Sequence, residues 1–568
     1  MAFFKFNTNP QSLNDILLQI STEGAHSSRK TARPIRSMFS KKQWRGIFLL
    51  TILFIALAYY ITLPPLNWQS SQFWRFFISS GAILGVEGIL YSVQDNGPTQ
   101  QATLLRTRMT RLVQVIVIIV ALLSLVRFGA SPIFNAKAYS RLIEPLASDF
   151  SKDVDEVNLD RIPIIDHDTA SRLGNRKLGT ITDLVSQFEP SPSYTQINVN
   201  DQPVRVTPLR YAGFFKWMAN QQTGIPNYLT VNMSNGDVKL ETPDSPIKYS
   251  ESEYFNRNIM RYLRFNYPTK IFQAPNFEID EDGVPYYVAT TYKMNFLLTS
   301  PEPSGAILVN AIDGTHRYYH LKDVPQWVDR IVSSKIVIDQ LNQHGLYKNG
   351  FWNTLFAKRG ATRTTEGYNY IVLDDDVWLY TGITSVTSDE SNIGFVLTNM
   401  RTKETRQYTV AAAEEYSAMS SARGAVQEKN YKSTFPILIN KDGRPTYIMS
   451  LKDKAGLVKM YAMVDAEDYQ DVATGTSLKE VIANYGSLQK ADQANTAEGR
   501  ETKELTATID DIKSVVVDGN TMYYLLLDDE VYFAKSNVNE RLPFMKAGTR
   551  ITIESTNKRE IKTLTINE

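Results

Sequence analysis

Few residues in this chain have the type and spacing to do chemistry. Cysteine is absent, which excludes disulfides, thiol nucleophiles and cysteine-ligated metals. The five histidines, His26, His167, His316, His320 and His344, form no H-E-x-x-H arrangement and no other spaced metal pair. His316 and His320 share one face of an expected strand, but about 13 Å of strand separates them, too far for one ion. Asp166-His167-Asp168 sets two carboxylates around an imidazole. A helix is expected to start at Thr169, so Asp168 reads as its N-cap rather than as a ligand. Asp374-Asp375-Asp376 could hold a cation, and an acidic turn between Tyr370 and Trp378 accounts for it as well. Ser388-Asp389-Glu390-Ser391-Asn392 is similar. No G-x-S-x-G, P-loop or G-x-G-x-x-G occurs. A carboxylate pair for sugar hydrolysis could be assembled only from distant positions. No catalytic, cofactor-binding or metal-ligating residue is therefore assigned, no cofactor is expected, and the chain reads as non-enzymatic.

One acidic residue, Glu87, falls inside an apolar run, where a carboxylate is expensive and often functional. Its position some six residues from the polar stretch at Gln94 favours headgroup water as its neighbour. Three such runs are present, Ile47 to Leu63, Phe73 to Val93 and Leu112 to Phe128, each near the length that spans a bilayer. Gly81 and Gly85 form a G-x-x-x-G that Gly88 extends, a small face that lets a second helix approach closely. Gly81, Gly85, Gly88 and Glu87 are the candidate helix-packing residues. Pro10 to Ser21 is expected as a short amphipathic helix. The basic residues Arg29, Lys30, Arg33, Arg36, Lys41, Lys42 and Arg45 precede the first run, and Arg106, Arg108 and Arg111 lie between the second and third. The loop at 64–72 has no Lys or Arg. The positive-inside rule then places the N-terminus in the cytoplasm and everything after about residue 130 outside.

With 568 residues the chain has room for three or four domains. Lys and Arg number 61 against 60 Asp and Glu, a balance that argues against a nucleic-acid binder. The outer part reads as helices and hairpins. Ala136 to Phe150 is expected as a helical stalk. Tyr194 to Val206 turns at Asn200-Asp201, and Asn227 to Glu241 turns at Asn235-Gly236. Ser250 to Phe272 is expected as a helix, Phe277 to Asn295 as a hairpin about Asp282-Gly283, Ala306 to Leu321 as a second hairpin, and Asp323-Val-Pro-Gln-Trp327 as a helix start. A meander follows over 368–410. Ala411 to Gln427 is then a helix, Phe435 to Leu451 and Leu457 to Val472 are hairpins, and Ser477 to Gln489 closes with a helix. In both D-G-x-P-x-Tyr turns the Asp-Gly supplies positive φ, the Pro stiffens a strand start, and the Tyr packs one face. Ordinary packing accounts for these tyrosines; Tyr286, Tyr287 and Tyr447 are the candidate contacts for a partner strand added at the sheet edge. After the polar linker, Leu505 to Ile512, Ser514 to Val517, Thr521 to Asp528, Glu530 to Phe533 and Thr549 to Ser555 alternate as strands. Leu542-Pro-Phe544 resembles the late turn of a small OB-type barrel, whose candidate face carries Tyr523, Tyr524, Tyr532 and Lys535 among acids.

The helix, hairpin, hairpin order with its Gly283/Pro285 and Gly443/Pro445 turns resembles the PepSY domain, a small extracytoplasmic module of bacterial envelope proteins. The resemblance covers roughly 250–335 and 411–489 and implies binding or restraint of envelope enzymes, with no catalytic residues to transfer. The whole chain looks like multi-pass envelope proteins of low-GC Gram-positive bacteria. The expected fold is α+β: a cytoplasmic tail (1–46), three transmembrane helices (47–130), a stalk and first α/β region (131–245), PepSY-like modules (246–345 and 411–489) joined by a β meander (346–410), a linker (490–503) and an OB-like β-barrel (504–568). The expected role is a membrane-anchored scaffold or regulator that binds an envelope protein partner or self-assembles. The alternatives are a wall-glycan binder or enzyme and, more weakly, an accessory subunit of a transporter.

Overall fold

The computed structural model describes residues 39–94, 100–156, 161–295, 299–386, 388–410, 412–498, 503–517, 520–535, 538–539, 541–556 and 559–567. The helix expected at Pro10 to Ser21 and the basic residues before Lys41 lie outside them. Two compact units form. One holds the apolar helices up to Pro64 and from Trp74 to Leu123; the other holds Pro65–Phe73 and everything from Ser124.

In the first unit, α1 (Lys41–Thr62), α2 (Ser71–Gln94) and α3 (Gln100–Gly129) carry the apolar runs. Three stretches, Lys41–Thr62, Ser71–Tyr91 and Thr107–Gly129, are long and apolar enough to cross a membrane. Ser40 and Gln43 form a capping box that starts α1, with Gln43 Oε1 accepting from Ser40 N at 2.7 Å. Leu63, in the left-handed region at φ 49°, ends it before Pro64. The glycine face of α2 meets α3. A methyl group at Gly81 would lie 3.3 Å from Ile116 Cδ1, one at Gly85 3.4 Å from Val113 Cγ2, and one at Gly88 2.5 Å from Met109 Sδ. Both Glu87 carboxylate oxygens are shielded from solvent and have no hydrogen-bond partner among the described residues.

The second unit begins irregularly. The expected stalk helix is instead α4 (Pro132–Tyr139), a two-residue strand β1 (Leu146–Ala147) and one turn, α5 (Phe150–Asp153). Then one topology occurs four times: a helix, two short strands that both pair with a long central strand, and two further antiparallel strands beyond it. The first copy is α6 (His167–Gly179) and α7 (Thr182–Val185), then β2 (Phe188–Pro190), β3 (Thr195–Val199), β4 (Gln202–Tyr211), α8 (Phe214–Asn220), β5 (Tyr228–Asn232) and β6 (Val238–Glu241). The second is α9 (Ile259–Asn266) with β7 (Ile271–Phe272), β8 (Asn276–Ile279), β9 (Pro285–Asn295), β10 (Ser300–Asn310) and β11 (His316–His320). The third is α10 (Ser334–Tyr347) and α11 (Phe351–Leu355) with β12 (Thr362–Thr364), β13 (Asn369–Leu373), β14 (Asp376–Ser385), β15 (Ser388–Asn399) and β16 (Thr405–Tyr408), extended by β1 on β16 and β17 (Ala412–Ala413) on β15. The fourth is α12 (Glu415–Gly424) with β18 (Lys432–Ser433), β19 (Ile437–Lys441), β20 (Arg444–Lys452), β21 (Val458–Asp465) and β22 (Val472–Gly475), closed by α13 (Leu478–Glu498). The region expected as a connecting meander is thus a module of the same topology, and the repeat is half as long as the two tyrosine turns suggested.

The turn chemistry explains the recurrence. In three copies the hairpin into the central strand is a two-residue turn with both φ values positive: Asn200-Asp201 (50°, 63°), Asp374-Asp375 (51°, 64°) and Asp442-Gly443 (52°, 80°). Asn, Asp and Gly tolerate that region, and its twist matches the flanking strands. Helix boundaries differ from expectation where a side chain caps. Asn258 caps α9, so the segment from Ser250 is loop. Beyond Asp323 the chain is irregular, with a turn closed by Val328 N donating to Pro325 O, and buries Val328, Ile331 and Val332, and the helix starts only at Ser334. Modules one and two share one core, and modules three and four share another with Phe150 to Ala170 and with Tyr194, Val231 and Met233 of module one.

The C-terminal segment is a five-stranded sheet, β23 (Lys503–Val517), β24 (Asn520–Leu527), β25 (Glu530–Lys535), β26 (Arg550–Ser555) and β27 (Ile561–Ile566), in the order β25-β24-β23-β26-β27. The two strands expected at 505–517 are one long strand with an irregularity between Ile509 and Asp511. Strand β27 lies past the last expected strand. No ladder among the described residues closes the sheet; β25 and the start of β27 are linked by a single bridge, Phe533 to Glu560.

Candidate functional site: a cleft where the modules converge

The second short strands of the modules come together. Counting back three residues from the hairpin-closing positions Val199, Ile279 and Leu373 reaches Gln196, Asn276 and Tyr370. All three line one cleft of about 630 Å³. The fourth module buries the matching Leu438 in its own core and contributes Phe435 to the cleft instead. Hydrogen bonds tie the second module to the segment that follows it, and the third module to the fourth, at this site. Asn276 Nδ2 donates to Arg330 O at 3.2 Å, and Asn369 Nδ2 lies 3.3 Å from the carbonyl oxygens of both Phe435 and Pro436.

Two arginines dominate the wall. Arg205, paired across the hairpin with Gln196, is only 8% exposed. Its Nη1 donates to Tyr194 O and its Nη2 to Gln196 Oε1, both at 3.3 Å. Burial and the nearby charge of Arg330 lower its pKa to about 10. Arg330 donates from Nη2 to Tyr370 OH at 2.7 Å, with its guanidinium carbon 4.1 Å from the centre of that ring. At the rim, Lys452 Nζ sits 2.7 Å from both Asp166 oxygens. Burial opposes ionisation of Asp166, but the Lys452 bond and the cap bond from Thr169 N outweigh it and hold the carboxyl below its usual range. Asp166, not Asp168, is therefore the N-cap, because the helix starts two residues earlier than Thr169, at His167. Asp168 pairs with Arg172 one turn on, at 3.0 Å.

Behind Arg330 lies a chain of buried acids. Asp329 N donates to Glu278 Oε2 at 3.1 Å, and Asn198 N donates to Asp329 Oδ2 at 2.6 Å. Asn198 Nδ2 reaches Asp375 on the third module's turn. The next residue, Asp376, is held by Arg401 Nε and Nη2, both at 2.7 Å. The triple Asp is thus a turn plus an ion pair. Burial pushes the Glu278 carboxyl up to about 7. Burial, then the Glu278 charge, pushes Asp329 well above the ordinary carboxylate range.

The tyrosines expected as partner contacts are placed differently. Tyr287 and Tyr447 are fully buried, and Tyr447 OH donates to Ala413 O at 3.0 Å. Neither can touch a partner strand, since the long central strand is paired on both sides. Tyr286 is half-buried against Trp327, with ring centres 5.0 Å apart. His316 bonds Tyr267 OH and His344 bonds Ser140 O. Among the described residues no group of three or more His, Asp or Glu could hold a metal. Arg205 and Arg330 were missed. The signal for Arg205 was its register: the hairpin at Asn200-Asp201 puts it on the same face as Pro203, a charge turned inward.

No family model and no curated protein matches the chain. Among solved structures, an ACO/RPE65 chimera aligns over 52% of this chain and 50% of its own, at 9% identity and TM-score 0.12. A B. megaterium levansucrase variant aligns over 73% of this chain and 97% of its own, at 8% identity and TM-score 0.16.

Proposed function

We propose that the chain is a membrane-anchored extracytoplasmic scaffold or regulator that binds an envelope protein partner. The observation that carries this reading is an aromatic patch on the first module. Phe214, Phe215, Met218, Tyr254 and Phe255 are exposed side by side, Phe215 at 76%. They sit on Trp217, whose Nε1 donates to the buried Glu253 at 2.8 Å while Tyr211 OH donates to the other oxygen at 2.8 Å. A rigid aromatic cluster open to solvent is the composition of a protein-docking hot spot. In native membranes solubilised with mild detergent, a protein should co-purify at fixed ratio, or the chain should appear as a defined oligomer. Phe215→Ser should reduce that association about tenfold or more without lowering the melting temperature. Association that survives the change would remove the patch from this role, and a lone monomer would sink the reading.

The topology belongs to the same proposal. The loop between the first two spans is part of the outer unit, with Leu66 N donating to Pro268 O at 2.7 Å and Asn67 Nδ2 to Thr269 O at 2.9 Å. That supports three crossings, with this loop and the modules on one side. Helix α11 packs against α4, which begins at Pro132 just past the span end at Gly129. Trp352, Leu355 and Phe356 are exposed on and beside α11, next to Lys358 and Arg359, a composition suited to the headgroup region. The cysteine-free chain makes the test direct. In intact cells, Lys358→Cys should react with an impermeant maleimide, and Lys41→Cys only after permeabilisation. The reverse pattern would put the modules in the cytoplasm.

The modules are read as PepSY-like and the C-terminal sheet as a small OB-type barrel, because β23 pairs with both neighbours and β25 touches the start of β27. A second reading, a ligand-binding protein of the cell wall, is favoured by the central cleft.

A further inference from the structure

We propose that the cleft between the modules binds an anionic ligand of monosaccharide to disaccharide size, its carboxylate or phosphate seated on Arg205 and Arg330. The proposal rests on the second reading above, that the cleft is a ligand site, and is independent of the aromatic patch. Arg205 is more than nine-tenths buried, yet no carboxylate lies within ion-pair distance of it among the described residues. Its two hydrogen bonds are long and go to neutral oxygens. Arg205 Nε, Arg330 Nε and Gln196 Nε2 are shielded from solvent and have no acceptor among the described residues. A buried guanidinium without a counter-charge costs several kcal/mol, and a second cation beside it raises that cost. The fold gives Arg401 an acid of its own, whereas the acid on this wall, Asp166, is taken by Lys452 and Arg205 is left with neutral oxygens.

The remaining charges around the cleft do not cancel the surplus. Asp166 is already paired with Lys452. Glu278 and Asp329 are fully buried behind Arg330, and neither forms an ion pair with its guanidinium among the described residues. Arg205 and Arg330 are then the free positive charges of the wall. The volume, about 630 Å³, is that of a small-molecule site rather than of a single ion. Tyr368, Phe435 and His167 line the rest of it, and Tyr370 carries the Arg330 guanidinium on its ring.

The test uses the full chain in detergent and three probes: N-acetylmuramic acid, glucose 6-phosphate, and N-acetylglucosamine, which is the first without its lactyl carboxylate. Calorimetric titration should show at least one acid sugar binding about tenfold or more tighter than the neutral one, the worth of a charge-assisted contact. Which acid binds tells carboxylate from phosphate. Arg330→Gln, at the less buried of the two arginines, should abolish that preference while the melting temperature without ligand holds, and Arg205→Gln should do the same if it folds. Equal binding of acid and neutral sugars would overturn the anion assignment while leaving the cleft a ligand site. No binding of any probe would overturn both.

Discussion

Tyr447→Ala should destabilise the second unit by about 3–5 kcal/mol, the cost of removing a large aromatic ring from a packed core. Tyr447 is fully buried within the core that modules three and four share. Its hydroxyl holds Ala413 O, beside a second buried tyrosine, Tyr380, whose hydroxyl donates to the fully buried Glu415 at 2.7 Å. Truncation leaves a cavity next to that carboxylate and removes the donor from a buried carbonyl, and both effects lower stability. Tyr447→Phe isolates the second effect and should cost about 1 kcal/mol. Tyr286→Ala, at a half-buried position, should cost about 1 kcal/mol as well. Denaturant melts of the three variants in detergent give the order directly. If Tyr447→Ala were as stable as Tyr286→Ala, the buried reading of the fourth module would be wrong.

That contrast shows what a sequence of this kind makes legible. The apolar runs and the glycine spacing announce the membrane helices, because lipid leaves the backbone no other option. The hairpins announce themselves wherever Asn, Asp or Gly must take positive φ, and the turns at Asn200-Asp201, Asp374-Asp375 and Asp442-Gly443 are where the residue types point. The fourfold recurrence was harder to see, because its elements share topology and turn type but little sequence. Asp374-Asp375 reads equally as a cation site or an acidic turn until its pairing partner is known. Helix ends were set by single caps: Asn258 rather than the serines before it, and Asp166 rather than Asp168. The cleft was the least legible feature, since Gln196, Asn276 and Tyr370 share only a register, and Arg205 and Arg330 come from a central strand and from the segment between two modules. Tyr287 and Tyr447 read first as ordinary hairpin packing, with a polar tip that also made them candidate contacts; that tip is satisfied inward for Tyr447.

The second large effect is on pH. Glu278 has a folded-state pKa raised to about 7 by burial, against 4.5 for an ordinary glutamate. Between those values the folded chain keeps a proton that the unfolded chain has released. Stability is therefore highest below pH 4.5 as far as this group is concerned, and falls as pH rises through 7. The loss amounts to about 3 kcal/mol. Asp329, raised by burial and by the Glu278 charge, acts in the same direction. The two carboxyls are coupled, so the proton belongs to the pair. Asp166, whose pKa is lowered, acts oppositely, gaining stability as pH rises above its folded-state value. Its contribution cancels when two variants are compared. Glu278→Gln cannot titrate and removes the like charge from Asp329. Relative to the native chain it should therefore gain stability steadily from pH 5 to pH 8, by about 3 kcal/mol at the upper end. Asp329→Asn should flatten the profile in the same way. Parallel melting curves for Glu278→Gln and the native chain across that range would mean that Glu278 is ionised in its buried place. Arg330 would then be its counter-ion, and only Arg205 would remain for an anion in the cleft.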